Sequence, residues 1–248
     1  MRRTVSNILI IIFSAIIAVS GYRLWKIFRE YHEGTQQYNT TSSTYVRHTD
    51  DAPEEEGYPT VCPISVDFEG LLAENPDVVG WIYSEGTQIN YPVMHRSSNE
   101  EYLYTMINGA YNSSGSIFMD FRNQPDLSDY NTIIYGHHMK NGSMFASLHQ
   151  YTKQSFYDEH KYLWFLTPDH IYRLDAIAGY VGNAEAEIYT IFTDMDELNR
   201  YLTFALSNSN FEAEKIPEYI NGIIALSTCA YEYDDARYVL VCVPVMVD

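Results

Sequence analysis

Cysteine is scarce and cations are few. Three cysteines, Cys62, Cys229 and Cys242, are spread over 248 residues. That is too few for a disulfide framework, and no pair has the short spacing of a zinc site. Whether Cys62 and Cys242 pair in an oxidising compartment is left open by the sequence. Only 15 Lys and Arg stand against 33 Asp and Glu, a formal net charge of -18. Binding nucleic acid takes clustered cations to neutralise phosphates, so this balance argues against such a partner. The acidic runs at 50–56 and 232–235 lack the ligand spacing and the glycine of a calcium loop, so no metal is expected, and no motif calls for a cofactor. No internal repeat is evident. Apolar residues are abundant, at 46%, and tyrosine reaches 23. Such a chain can bury a sizeable core, with one domain plus appendages as the simplest organisation.

There is a single long apolar run. Between Arg3 and Arg23 lie 19 uncharged residues, Ile-rich at the centre. At about 1.5 Å per residue they just cover a hydrocarbon core, as a membrane segment or a signal peptide. Ala18-Val19-Ser20 before Gly21 is a tolerable cleavage site, but Leu24, Trp25, Ile27, Phe28 and Tyr31 continue the apolar pattern among Arg23, Lys26 and Arg29, as an interfacial helix would, which favours a retained anchor. Residues 34–57 are rich in Thr, Ser, Asn and Gln and then acidic, a composition that reads as a flexible spacer. The organisation expected is a short N-terminal stretch at 1–3, an anchor at 4–22, a juxtamembrane helix and spacer at 23–63, and a folded domain at 64–248, with charge counting leaving the orientation across the membrane open.

Inside that domain Asp67 caps a short helix ended by Pro76. Strands are expected at 78–83 and 87–91, joined by Ser84-Glu85-Gly86, and at 116–119 and 132–135. Asn99 is expected to cap a helical turn carrying Tyr102, Leu103 and Met106, and a further helix starts at Ser143. Strands at 162–166 and 171–181 flank the turn Thr167-Pro168-Asp169-His170. Asp194 and Glu197 open a helix with Leu198, Tyr201, Leu202 and Ala205 on one face. The last strands are 223–228 and 238–247, Pro244 marking an edge or bulge. About eight short strands with few helices make the chain mainly β, a barrel or sandwich with inserted helices.

The chemistry concentrates near the C-terminus. Ile223-Ile224-Ala225-Leu226-Ser227-Thr228-Cys229 reads as a strand delivering a thiol to its end, and Arg237 follows on the return strand. A thiolate is the nucleophile, and a nearby cation favours it. The base comes from Thr132-Ile133-Ile134-Tyr135-Gly136-His137-His138. Adjacent residues of a strand face opposite sides, so one imidazole of the two can reach Cys229, and pattern alone does not choose. Alone, Cys229 would be a buried structural thiol, and Arg237 a surface ion pair with Glu232, Asp234 or Asp235.

These motifs resemble a sortase: Leu226-Ser227-Thr228-Cys229 matches a TLxTC strand, with Ala225 where Thr is usual. Tyr135-Gly136-His137, Asn75-Pro76-Asp77-Val78-Val79-Gly80-Trp81-Ile82, Tyr91-Pro92-Val93, Asn99 to Leu103 and Gly115-Ser116-Ile117-Phe118-Met119-Asp120 are similar to class B members. The resemblance implies an eight-stranded sortase β-barrel with N-terminal helices and a helix inserted before the penultimate strand. It also implies a membrane-anchored cysteine transpeptidase, single-pass, with its catalytic domain on the extracellular face. His137, Cys229 and Arg237 would be catalytic. Asn99, Leu103, Tyr201, Leu202 and Ser227 would line the groove for a C-terminal sorting signal, and Thr228 would support the thiol. A thioester acyl-enzyme forms, its oxyanion held by Arg237 and a backbone N–H near Ala230, and an amine of a peptidoglycan precursor or a pilin lysine resolves it. The same Cys and His would also serve a secreted cysteine peptidase. A non-enzymatic surface or pilus protein is the other alternative, disfavoured because no sorting motif follows the last strand.

Overall fold

The computed structural model describes residues 2–49, 58–183 and 185–248. It opens with one long helix, α1 (Arg2–Tyr45), followed by β1 (Val46–His48), β2 (Ile64–Val66), α2 (Phe68–Glu74), β3 (Val78–Tyr83), β4 (Asn90–Met94), β5 (Ile117–Met119) and β6 (Asn131–Tyr135). A 3-10 helix (Ala146–Thr152), α3 (Gln154–Glu159), β7 (Tyr162–Leu166) and β8 (Ile171–Asn183) come next. The chain ends through a 3-10 turn (Glu187–Tyr189), α4 (Met195–Ser207), β9 (Ile223–Cys229) and β10 (Ala236–Met246).

Eight strands close into a barrel in the order β10-β8-β7-β3-β4-β5-β6-β9, while β1 and β2 form a separate ribbon. Closure leaves the barrel no open edge. The pairs β4/β5 and β6/β9 are parallel and the rest antiparallel. Alternation along β9 and β10 builds two cores. Ile224, Leu226, Leu240 and Cys242 pack with Trp81, Phe165 and Leu174 in one cluster. Ile223, Ala225, Val239 and Val241 pack on the other face against Leu198, Tyr201, Leu202 and Ala205 of α4. Asp194 caps α4 as expected, its carboxylate accepting from the Glu197 N–H at 2.9 Å, while the Glu197 carboxylate accepts from the Thr193 N–H.

Residues 34–45 are not a spacer but the last turns of α1, and their composition misleads for a physical reason. Thr41 and Thr44 donate back to the carbonyls of Gln37 and Thr40, so their hydroxyls need no solvent. Tyr38, 3% exposed, lies against the barrel, donates to the Gly115 carbonyl and meets Tyr91 edge-on at 5.3 Å. Tertiary contact overrides weak propensity here. The acidic stretch 50–57 lies outside the described residues.

Smaller corrections have the same origin. The strand expected at 87–91 is β4, shifted toward Met94, because Thr87 closes the hairpin turn by donating to Ser84. Asn99 caps no helix; its amide bonds Asp120 and the Phe121 N–H. The helix expected from Ser143 is the 3-10 segment. Pro244 pairs with β8 at Leu174, beyond the last β9 partner, where its missing N–H breaks no ladder on that side. Cys62 and Cys242 are free, buried thiols, and burial pushes the Cys62 thiol up to about 11. Removing the Tyr38 ring (Tyr38→Ala) is expected to cost about 3 kcal/mol in urea unfolding of the chain without its apolar segment, as for other buried aromatics. A spacer residue would cost nothing measurable.

Candidate active site

Strand parity assembles the site. In β9 the positions 223, 225, 227 and 229 share a face, and in β10 Arg237 shares the face of Val239 and Val241. Cys229 is the direct register partner of Arg237, and Ser227 that of Val239. The parallel neighbour β6 adds Tyr135 opposite Ser227. Where α4 no longer covers this face a cavity of about 360 Å³ opens, lined by Cys229, Arg237, His137, Ser227, Tyr135 and Thr228 among others. The three half-buried groups expected to react thus share one rim. A cleft of about 430 Å³ between α1 and the barrel also exists, lined chiefly by amides and hydroxyls without a thiol or imidazole.

β6 ends at Tyr135, and the segment beyond it is held by tethers. Gly136 donates to the Ser227 carbonyl, and a Cβ there would meet Ile117 at 2.4 Å and Phe145 at 2.7 Å. Only glycine allows that approach. His137 stays on the cavity side, its Nε2 donating to the Leu103 carbonyl at 2.7 Å and its ring stacked on Tyr104. A carbonyl can only accept, so Nε2 carries a proton and Nδ1 is the nitrogen left to exchange one. His138 turns away and donates from Nδ1 to the Cys229 carbonyl at 2.8 Å. The Leu103 carbonyl is itself fixed: Gly115, at φ 53, packs where a Cβ would come within 2.3 Å of it.

Beneath the cavity lies a buried carboxylate. Asp120 accepts from Asn99 at 3.0 Å, from the Tyr135 hydroxyl at 2.9 Å and from Arg122 Nε and Nη2 at 2.8 Å each. Burial would raise its pKa; the Arg122 guanidinium and N–H, with Asn99 and Tyr135, outweigh that and hold it at about 2. Arg122 also donates to the Tyr189 carbonyl, and the Tyr189 hydroxyl is 2.8 Å from Ser227 Oγ. One ion pair therefore ties the floor, the Asn99 segment and the Glu187–Tyr189 turn together.

Of the groove residues expected from sequence, Asn99, Leu103, Ser227 and Thr228 line the cavity. Tyr201 and Leu202 do not: both are buried in the α4 cluster, with the Tyr201 hydroxyl 2.9 Å from that of Tyr180. Their i, i+3, i+4 spacing with Leu198 and Ala205 was the mark of a core face. The wall they were expected to form is supplied by Tyr189, in the short turn before α4, an aromatic outside any apolar period. The backbone donor for the oxyanion was expected near Ala230, and the N–H of Ala230 itself is already engaged. It donates to the Ala236 carbonyl at 2.9 Å and is not free for an oxyanion. Thr228 Oγ1 is buried in the wall with no hydrogen-bond partner. Among the described residues no group of three or more His, Cys, Asp or Glu is placed to hold a metal ion.

Residues 82–245 match the sortase domain family. Sortase B of Staphylococcus aureus is 31% identical, the match covering 96% of this chain and 94% of that protein. The structure of the Staphylococcus aureus sortase B-substrate complex is 35% identical, with a TM-score of 0.68 over 73% of this chain and 85% of that one. A sortase B complexed with triglycine is 29% identical, with a TM-score of 0.69 over 90% and 99%.

The Asp120 cluster sets an acid limit. A carboxyl held at about 2, below its ordinary value near 4, contributes stability that is complete above about pH 4 and is lost as the pH falls through 2. Between pH 5 and pH 2 the wild type should lose roughly 1 kcal/mol more in urea unfolding than Asp120→Asn, the full linkage value of about 2 kcal/mol being halved for the partial exposure of Arg122. Parallel curves would remove Asp120 as the cause.

Proposed function

Because the chain belongs to the sortase family, among the sortase B proteins, a family of cysteine transpeptidases, we propose that Cys229, His137 and Arg237 carry out the transfer. The substrate is a sorting-signal peptide and the acceptor an amine of the cell wall. The observation that carries this reading is the register pair Cys229 and Arg237 on one rim with His137, on the face α4 leaves open.

In the reactive form the Cys229 sulfur is a thiolate and His137 an imidazolium. The sulfur attacks the scissile carbonyl carbon, forming a C–S bond, and the carbonyl oxygen becomes an oxyanion held by the Arg237 guanidinium. Collapse breaks the C–N bond, and the leaving amine takes the proton from His137 Nδ1, while Nε2–H stays on the Leu103 carbonyl. An incoming amine returns a proton to Nδ1, attacks the thioester and expels the thiolate, so that one amide replaces another. Arg237 suits the oxyanion because its charge is permanent and its planar fork can hold oxygen and substrate together.

Asn99, Leu103, Ser227, Tyr189 and Thr228 form the walls that hold the signal peptide. Thr228, buried next to Cys229, backs the strand end that carries the thiol. The structures with substrate and with triglycine belong to sortase B relatives and support a peptide donor and the amine of a short glycine bridge as acceptor. The apolar segment 4–22 is a retained anchor that keeps the barrel on the outer face of the membrane, since α1 runs unbroken from it into the part packed on the barrel.

His137→Ala should lower amine-dependent cleavage of a matched signal peptide by about 10² to 10⁴, the range for positioned proton transfer, and Cys229→Ala should abolish it. Arg237→Lys should also cripple the enzyme although charge is kept, because the fork is lost. Near-normal turnover by a folded His137→Ala protein would move the base elsewhere. Release of free acid at a rate independent of glycine or lysine amine would make the enzyme a peptidase.

A further inference from the structure

The contacts between α1 and the barrel form an ordered ladder. Counting away from the apolar segment, Glu30 comes first, its carbonyl accepting from Asn112 Nδ2 and its carboxylate from the Ser113 N–H, both at 2.9 Å. Thr35 is next, accepting from Asn141, then Tyr38 at Gly115, Ser42 accepting from Asn90, and Tyr45 bonded to Glu74. At about 1.5 Å per residue the rungs from Glu30 to Tyr45 span roughly 22 Å. The barrel end nearest the apolar segment is therefore the end with the 104–114 loop and the turn after His137, and the β3–β4 hairpin is the far end.

That near end carries exposed rings. Tyr111 is 75% exposed and stacks on Tyr104, which stacks on His137. In the loop after β9, Tyr231 is 65% exposed and donates to the His138 carbonyl. Its ring also lies 5.0 Å from that of His138, which ties this loop to the turn after His137 and hence to the same end of the barrel. On α1 itself Tyr22, Trp25 and Phe28 are exposed, and Arg29 lies over the Trp25 ring.

We infer that the active-site mouth faces the bilayer, with Tyr104, Tyr111 and Tyr231 docking, beside Trp25 and Phe28, on the headgroup zone of the outer leaflet. This rests on the anchor reading of residues 4–22. The lengths fit. From Tyr22 to Glu30 is about 12 Å along the helix, the headgroup layer takes up about 5 to 8 Å of it, and a tyrosine side chain spans the remainder. Tyrosine and tryptophan favour this zone, where an apolar ring and a polar tip are both accommodated. Glu232, Asp234 and Asp235 in the same loop keep it out of the hydrocarbon.

The test uses the full chain in phosphatidylcholine vesicles containing lipid brominated near the headgroup end of its acyl chains. Trp81 and Trp164 are buried and give an unquenched background. Quenching of Trp25 in the wild type reports the anchor. In a Trp25→Phe background, Tyr111→Trp should lose about half of its emission, as a ring at headgroup level would, while Glu85→Trp in the far hairpin loses none. Tyr231→Trp, on an independent loop, is expected to behave as Tyr111→Trp and serves if that variant does not fold. Unquenched Tyr111→Trp and Tyr231→Trp together with quenched Trp25 would overturn the docking and leave the anchor standing. An unquenched Trp25 would overturn both.

Discussion

The register between β9 and β10 is the constraint on which the rest depends. One pairing sets Cys229 opposite Arg237 and, through strand alternation, decides that both face the side where α4 stops. A slip of one residue would turn Cys229 into the barrel, where burial holds a thiol protonated, as it does for Cys242. The register is held by both faces at once, since Leu226 and Leu240 fill the barrel while Ala225 and Val241 meet α4. Closure of the barrel allows no edge strand to slide. The position of Cys229 is thus a consequence of two hydrophobic cores.

Strands fix only half of the site, and the other half comes from loops that would be mobile without internal pins. Asp120 is the main pin. Its two oxygens gather Asn99, Tyr135 and Arg122, and Arg122 extends the reach to the Tyr189 turn. A buried carboxylate is costly unless nearly every lone pair is used, and here four donors besides a backbone N–H use them. The same ion pair orders three segments far apart in sequence. The walls of the cavity stand or fall together.

Much of this was legible in the sequence, and the misses have a common cause. Apolar alternation located β3, β7, β8, β9 and β10 to within a few residues, and capping chemistry located α4. The paired motifs around Cys229 and His137 are strand ends, and strand ends are what periodicity reads best. What failed was anything decided by contact across the fold. Residues 34–45 look like a linker until Tyr38 has a barrel to lie on. Asn99 looks like a helix cap until Asp120 is beside it. Tyr201 and Leu202 took the groove role although their own spacing marked them as core, and Tyr189, outside any period, went unseen. The N–H of Ala230 could not be judged from sequence because its partner, the Ala236 carbonyl, is defined only by the turn.

The long helix and the imidazole meet through a short mechanical path. Tyr38 donates to the carbonyl of Gly115, and Gly115, held at positive φ, packs directly on the carbonyl of Leu103. That carbonyl in turn holds His137 Nε2. The two middle links are backbone groups, and the Tyr38 ring at one end is buried at 3% exposure. The acceptor that fixes the tautomer of His137 is thus seated on a glycine whose own carbonyl is bonded to α1. The part of α1 packed on the barrel therefore belongs to the scaffold around His137, and the composition that made it look like a tether is the composition of a helix whose threonine hydroxyls bond its own carbonyls.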